Sequence, residues 1–163
     1  MDNWKNSVLL ESVLKALYTV ASRRTSVKSA SEAIGSSIKT LENKYSFLKF
    51  VNAGGKDITQ GGFAINVSSN VNKVDTSQVG KAIESLIRVV YNDIGTEAGL
   101  YFISELKEHT GDEITKMIST MNVDLDQVQL EQHYAYRRTE HKKKIEKMAR
   151  TGMLDGKKPD NLL

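Results

Sequence analysis

The chain of 163 residues has a single proline, Pro159, almost at its end. Proline removes a backbone donor and clashes with the preceding turn, which makes it the strongest helix breaker. A chain without interior proline is free to build long helices, and apolar residues spaced by three and four then decide where they lie.

That spacing predicts a first helix over about Asn6–Ala21, with Leu10, Val13, Leu14, Leu17, Val20 and Ala21 on one stripe. Ser22-Arg23-Arg24-Thr25-Ser26 reads as a turn. A second helix is expected over Val27–Phe47, or from Ser29 if Ser29 and Glu32 form a capping box. Ile34, Ile38, Leu41, Tyr45 and Leu48 repeat as a helix-packing seam. Gly35 inside it costs about 1 kcal/mol against alanine, which points to close approach of another backbone.

The period then changes to two. Phe47–Asn52 reads as a short strand, and Phe63, Ile65 and Val67 alternate with Ala64, Asn66 and Ser68 in a better one. Ala53–Gly62, with a glycine pair at each end, reads as a long hairpin loop, and Ser68–Val74 as irregular. Helical spacing returns after Asp75 or Thr76 as cap, with Val79, Ala82, Ile83, Leu86, Ile87, Val90, Tyr91 and Ile94. Gly95 is expected to stop that helix and Thr96 to cap the next, which ends near Gly111. Asp112 starts a short helix that Asn122 ends. Asp124 and Gln127 then resemble a capping box for a last helix, about Leu125–Thr151.

These elements predict a mainly α chain, α+β by strict count: a helical bundle of about six helices with one small β-hairpin. A single domain is expected over 1–152. It divides into an N-terminal αα-hairpin with the β-hairpin over 1–74 and a helical lobe over 75–152 that ends in a long C-terminal helix. A flexible tail covers 153–163. The composition, 39% apolar and 26% charged, agrees with a globular chain able to bury its own core. With no cysteine, disulfides, thiol catalysis and Cys-zinc sites are excluded. No apolar run reaches the roughly 18 residues of a membrane span, and Met1-Asp2-Asn3-Trp4 opens without a signal-peptide pattern. The expectation is a cytoplasmic protein without a membrane partner.

Charge is unevenly distributed. Nine acids lie over 93–131 against only Lys107 and Lys116. Residues 137–163 carry nine Lys/Arg against four Asp/Glu. Such blocks suggest a partner surface, or pairing of the two blocks with each other. Arg137, Arg138, Lys142, Lys143, Lys144, Lys147 and Arg150 are the candidate nucleic-acid-binding residues, with Tyr134 or Tyr136 able to stack on bases. Leu130, Tyr134, His141, Ile145 and Met148 keep a sparse apolar stripe along the same helix, thin for a membrane surface. The plain alternative is a solvated helix whose cations offset the acidic segment.

Other patterns carry less chemistry. Gly54-Gly55-Lys56-Asp57-Ile58-Thr59 lacks the spacing and the following helix of a phosphate-binding loop. His109 shares a face with Glu105, and His133 with His141, but no metal-binding motif joins them. No serine sits in a nucleophile elbow, so no catalytic, cofactor or metal residue is assigned. Arg23-Arg24-Thr25-Ser26 matches a loose arginine-arginine-x-serine pattern, making Thr25 and Ser26 candidate phosphorylation sites. The order helix, turn, helix, hairpin resembles the winged-helix family. That resemblance implies a DNA-binding second helix and phosphate contacts from Lys39, Lys44, Lys49 and Lys56. It also requires a break near Gly35-Ser36-Ser37, against the unbroken seam.

The leading expectation is a non-catalytic regulatory or adaptor protein acting through helical surfaces, the acidic 93–131 region among them. It would be a homodimer through its long seams and exposed Tyr and Met. A DNA- or RNA-binding regulator is the alternative. An enzyme with a pocket holding His109 or His133 beside acids is the lesser one.

Overall fold

The order of elements follows the alternation of apolar spacing along the chain. A computed structural model describes residues 5–57, 62–94 and 101–151. Helix α1 spans Asn6–Arg24, α2 Val27–Glu42, α3 Thr76–Ile94, α4 Phe102–Thr120 and α5 Leu125–Arg150. Between α2 and α3 lie strands β1 (Val51–Asp57) and β2 (Gly62–Val67), flanked by 3₁₀ turns at Ser46–Phe50 and Ser69–Lys73. The protein is mainly α with one small antiparallel hairpin.

Helix α1 buries more than its expected stripe. Leu9 and Ala16 are buried beside Leu10, Val13, Leu14, Leu17, Val20 and Ala21. It packs against α2, α3, α4, β2 and the second 3₁₀ turn, so its neighbours cover it on several sides. Lys5 offers no side-chain cap to its N-terminus. Asn72 takes that role from the second 3₁₀ turn, accepting from the Ser7 N–H at 2.8 Å. The Asn6 amide donates to the Val74 carbonyl at 2.9 Å. Helix ends leave backbone donors unpaired, and here a distant segment satisfies one.

Ser26 caps α2, accepting from the Ser29 N–H at 3.0 Å, so the helix starts at Val27 and Ser29 lies within it. It ends at Glu42, earlier than the spacing predicts, because the Lys44 and Tyr45 N–H groups both close on the Leu41 carbonyl. The seam survives the end of the helix. Ile34, Ile38, Tyr45 and Leu48 are buried, the last two carried inward by the turn and the 3₁₀ segment. Phe47–Phe50, expected to open a strand, belongs to that 3₁₀ turn, and the strand begins at Val51. No break occurs at Gly35-Ser36-Ser37, so two α-helices precede the hairpin among the described residues.

The hairpin is longer than expected. β1 pairs with β2 from Val51 opposite Val67 to Asp57 opposite Gly62, with an irregularity between Ala53 and Gly55. Most of the expected Ala53–Gly62 loop is therefore strand, and Gly54-Gly55-Lys56-Asp57 lies in a ladder. Residues 58–61 lie outside the described residues. Glu11 ties the hairpin to α1 by accepting from the Val67 N–H at 3.1 Å.

Asp75 caps α3, accepting from the Ser77 N–H. The strong stripe is buried from Val79 to Tyr91, with Ile94 packed at its edge. Gly95 and Thr96 lie outside the described residues. In α4, Gly111 has φ 85 and ψ 162, so the helix is broken where the sequence predicts one helix to end and another to begin. Asn122, at φ 68, ends the second half in the left-handed region that asparagine tolerates. Asp124 then caps α5 through the Gln127 N–H at 3.0 Å. The return bond of a capping box is replaced by one from the Gln127 amide to Glu131. One cluster of buried residues runs from Leu9 to Val128 and draws on both halves of the chain. Residues 153–163, expected as a flexible tail, lie outside the described residues.

The close backbone approach expected at Gly35 occurs elsewhere. A Cβ on Gly35 would meet nothing within 4 Å. One on Gly80 would lie 2.4 Å from the Met121 carbonyl oxygen. Gly80 lets α3 touch the end of α4, whereas Gly35 retains only the entropic cost of a helical glycine. Gly35→Ala should therefore raise stability by about 0.5–1 kcal/mol. Gly80→Ala should lower it by ~1–3 kcal/mol through overpacking. Urea unfolding of both variants checks the opposite signs.

Candidate functional site

The seven candidate cations lie on α5, and the first turns of that helix anchor it. Leu125, Val128 and Gln132 are buried, and Gln129 donates to the Ser104 hydroxyl at 2.8 Å. Lys107 of α4 pairs with Asp126, and Arg88 of α3 pairs with Glu131. The helix has 26 residues, which at 1.5 Å per residue is about 39 Å. Every residue from Glu140 to Lys147 is exposed. The C-terminal half therefore leaves the body of the protein.

All seven candidate cations are exposed on this half. Lys143 lies 3.6 Å from Glu140. Among the described residues, Arg137, Arg138, Lys142, Lys144, Lys147 and Arg150 make no ion pair. The acidic 93–131 segment finds other partners. Glu105 receives both Arg23 and Arg24 of α1, with the Arg24 Nε at 2.9 Å. Glu131 goes to Arg88, which also lies 3.2 Å from Glu84. Asp126 goes to Lys107. No described ion pair joins this acidic segment to the cations of 137–150. Glu108, Asp112 and Glu113 stay exposed.

Leu130, Tyr134 and Ile145 are exposed, with Tyr101 at the start of α4. At 3.6 residues per turn these three α5 residues fall within about 60° of one another. The cations are not segregated opposite them: Arg137 and Lys144 project beside the stripe and Lys143 and Arg150 behind it. Tyr45 and Tyr91, both on predicted apolar stripes, are buried, and so is Met121. Burial pushes the Tyr91 phenol above its ordinary range, with Tyr136 adding to the shift.

The histidines do not converge. His109 stands 3.9 Å from Glu105 on α4, while His133 and His141 lie on α5. Among the described residues no group of three or more histidines and carboxylates could hold a metal ion. The largest described groove, about 540 Å³, runs between Lys107 and the Asn122–Asp126 turn. A second, about 490 Å³, lies between Lys44, Tyr45 and α3. A third, about 230 Å³, separates α3 from α5. No histidine lines any of the three. Of the winged-helix lysines, Lys39, Lys44 and Lys49 are exposed, with Lys44 and Lys49 over the Tyr45 and Phe50 rings, 5.5 and 5.4 Å from their centroids, and the Lys56 side chain lies outside the described residues.

Gln132 is the polar residue the sequence does not reveal. It is 5% exposed, lines the third groove, and neither of its amide atoms has a partner among the described residues. In a helix of polar residues nothing marks one glutamine as the inward-facing one. No helix among the described residues is long and apolar enough to cross a membrane. Comparison with protein-family models, curated proteins and solved structures finds no match.

The Arg88 guanidinium, then the Gln127 amide, hold the Glu131 carboxyl below its ordinary range. A depressed folded-state pKa stabilises the fold above the unfolded value and loses that contribution as pH falls through the folded one. Arg88→Gln should move the Glu131 midpoint up toward the ordinary carboxylate range, followed by carboxyl NMR shifts. The stability difference between the variant and the parent should then shrink as pH is lowered below about 4.3, the ordinary glutamate value.

Proposed function

We propose that this protein is a non-catalytic interaction protein that presents the projecting half of α5 to an acidic surface of a protein partner. The observation that carries this reading is the unused charge. Among the described residues six exposed cations have no ion-pair partner, while Glu105, Glu131 and Asp126 are matched to α1, α3 and α4. Unpaired cations concentrated on a rod-like element raise the encounter rate with an anionic surface. The exposed Leu130, Tyr134 and Ile145 supply apolar contact along the same face, for a partner or for a second copy of the chain. On this reading α5 joins the acidic 93–131 region as part of the interaction surface.

A second reading is nucleic-acid binding, favoured by the distribution of the cations around the helix. A helix in the major groove meets phosphates on both walls, whereas a helix lying on a membrane needs its charges on one side. The cations here surround the axis, which suits a groove.

Fluorescence anisotropy of a labelled DNA duplex at two salt concentrations separates these readings. The nucleic-acid reading expects binding that weakens steeply with salt. The triple change Lys142→Gln, Lys143→Gln and Lys144→Gln should lower its salt slope by up to about three. The protein-partner reading expects no duplex binding at low salt. In that case a partner captured by the parent chain should be lost with the same triple variant.

A further inference from the structure

We propose that Ser26 is the phosphoacceptor for an arginine-directed protein kinase, and that its phosphate draws Arg23 away from Glu105 and loosens α4 from α1. The inference is independent of α5 and of what α5 binds.

The sequence offers two adjacent hydroxyls after Arg23-Arg24, and the structure distinguishes them. The Thr25 side chain is half-buried, and its hydroxyl donates to the Ala21 carbonyl at 2.7 Å. It closes the last turn of α1. Ser26 is exposed on extended backbone, φ −159 and ψ 164, and its hydroxyl oxygen accepts from the Ser29 N–H. Val27, next in the chain, is an apolar side chain 54% exposed. Two arginines before an open hydroxyl and a projecting apolar residue after it make a stretch that a kinase reads by charge complementarity and a small pocket. The arginines lie at the end of α1, where local opening costs least.

In the transfer, the Ser26 oxygen attacks the γ-phosphorus of a nucleoside triphosphate held by the kinase. The new O–P bond forms as the bond to the bridging β–γ oxygen breaks. The nucleoside diphosphate leaves, and the hydroxyl proton passes to the kinase base. The product carries a charge of about −1.5 to −2 and three acceptor oxygens at the cap of α2. There it meets the N–H groups of the first turn of α2 and the arginines two and three residues back.

Arginine prefers a phosphate that accepts two parallel hydrogen bonds. Arg23 is the one able to move: its side chain is 61% exposed, against 24% for Arg24 and 13% for Glu105. Both arginines hold Glu105, so these two ion pairs tie the end of α1 to α4 across 81 residues of chain. A phosphate on Ser26 takes Arg23 and leaves Glu105 with Arg24, beside His109 at 3.9 Å. The same event tightens the start of α2 and slackens α4, a pattern that general destabilisation does not produce.

The test is hydrogen exchange with mass spectrometry on the full chain, before and after treatment with a purified arginine-directed kinase and magnesium ATP. One phosphate is expected, on Ser26. Ser26→Ala should take none, and Thr25→Ala should still take one. In the phosphorylated chain the amides of Ile103–Thr110 should exchange severalfold faster and those of Ser29 and Ala30 more slowly. Arg23→Gln, which removes the same ion pair with Glu105, should speed exchange in α4 without any phosphate. A full chain that takes no phosphate overturns the proposal, whether or not a peptide of residues 20–30 accepts one. Phosphate on Thr25 in place of Ser26 overturns it as well, and so does phosphate on Ser26 that leaves α4 exchange unchanged.

Discussion

Helix α1 is the element on which the other packing surfaces close. Ten of its 19 residues are buried, Leu10, Val13, Leu14, Leu17, Val20 and Ala21 completely. Burying a leucine or valine side chain stabilises by about 1.5–3 kcal/mol relative to exposure, so this row is a large share of the core. Both ends are held by residues far away in sequence. Asn72 caps the beginning and Glu105 binds the arginines of the end.

That arrangement also sets the electrostatics. Glu105 is taken by α1, Glu131 by α3 and Asp126 by a lysine on its own neighbouring helix. The acidic segment therefore serves partly as internal fastening. These acids are held in the body, and among the described residues Arg137, Arg138, Lys142, Lys144, Lys147 and Arg150 of α5 make no ion pair.

Much of the architecture was legible in the apolar spacing. Five helices, the hairpin between the second and third, and the break at Gly111 follow from positions such as Val79–Tyr91 and from glycine at a boundary. Less legible was the stretch from Glu42 to Asp57. Tyr45 and Leu48 continue the helical seam in sequence, yet reach the core from a turn and a 3₁₀ segment, so spacing alone could not mark the helix end. Gly35 and Gly80 look alike in sequence, each a glycine inside a helical stripe. Only the position of Met121 distinguishes them, because a close approach is a property of two surfaces. In the candidate site, the cluster from Arg137 to Arg150 could be read directly. The buried Gln132 and the Arg23-Arg24-Glu105 fastening could not, since each depends on which faces meet.

By itself, the sequence determined the helical class, the placement of most elements and the separation of acidic from basic charge. Those properties are local, set by periodicity, by proline confined to Pro159 and by the order of residues along one strand of chain. The tertiary structure decided which carboxylates are matched, which glycine permits contact and which hydroxyl at the α1–α2 junction stays open. Those properties require two distant segments to be brought within a few ångströms, and the packing around α1 is what brings them there.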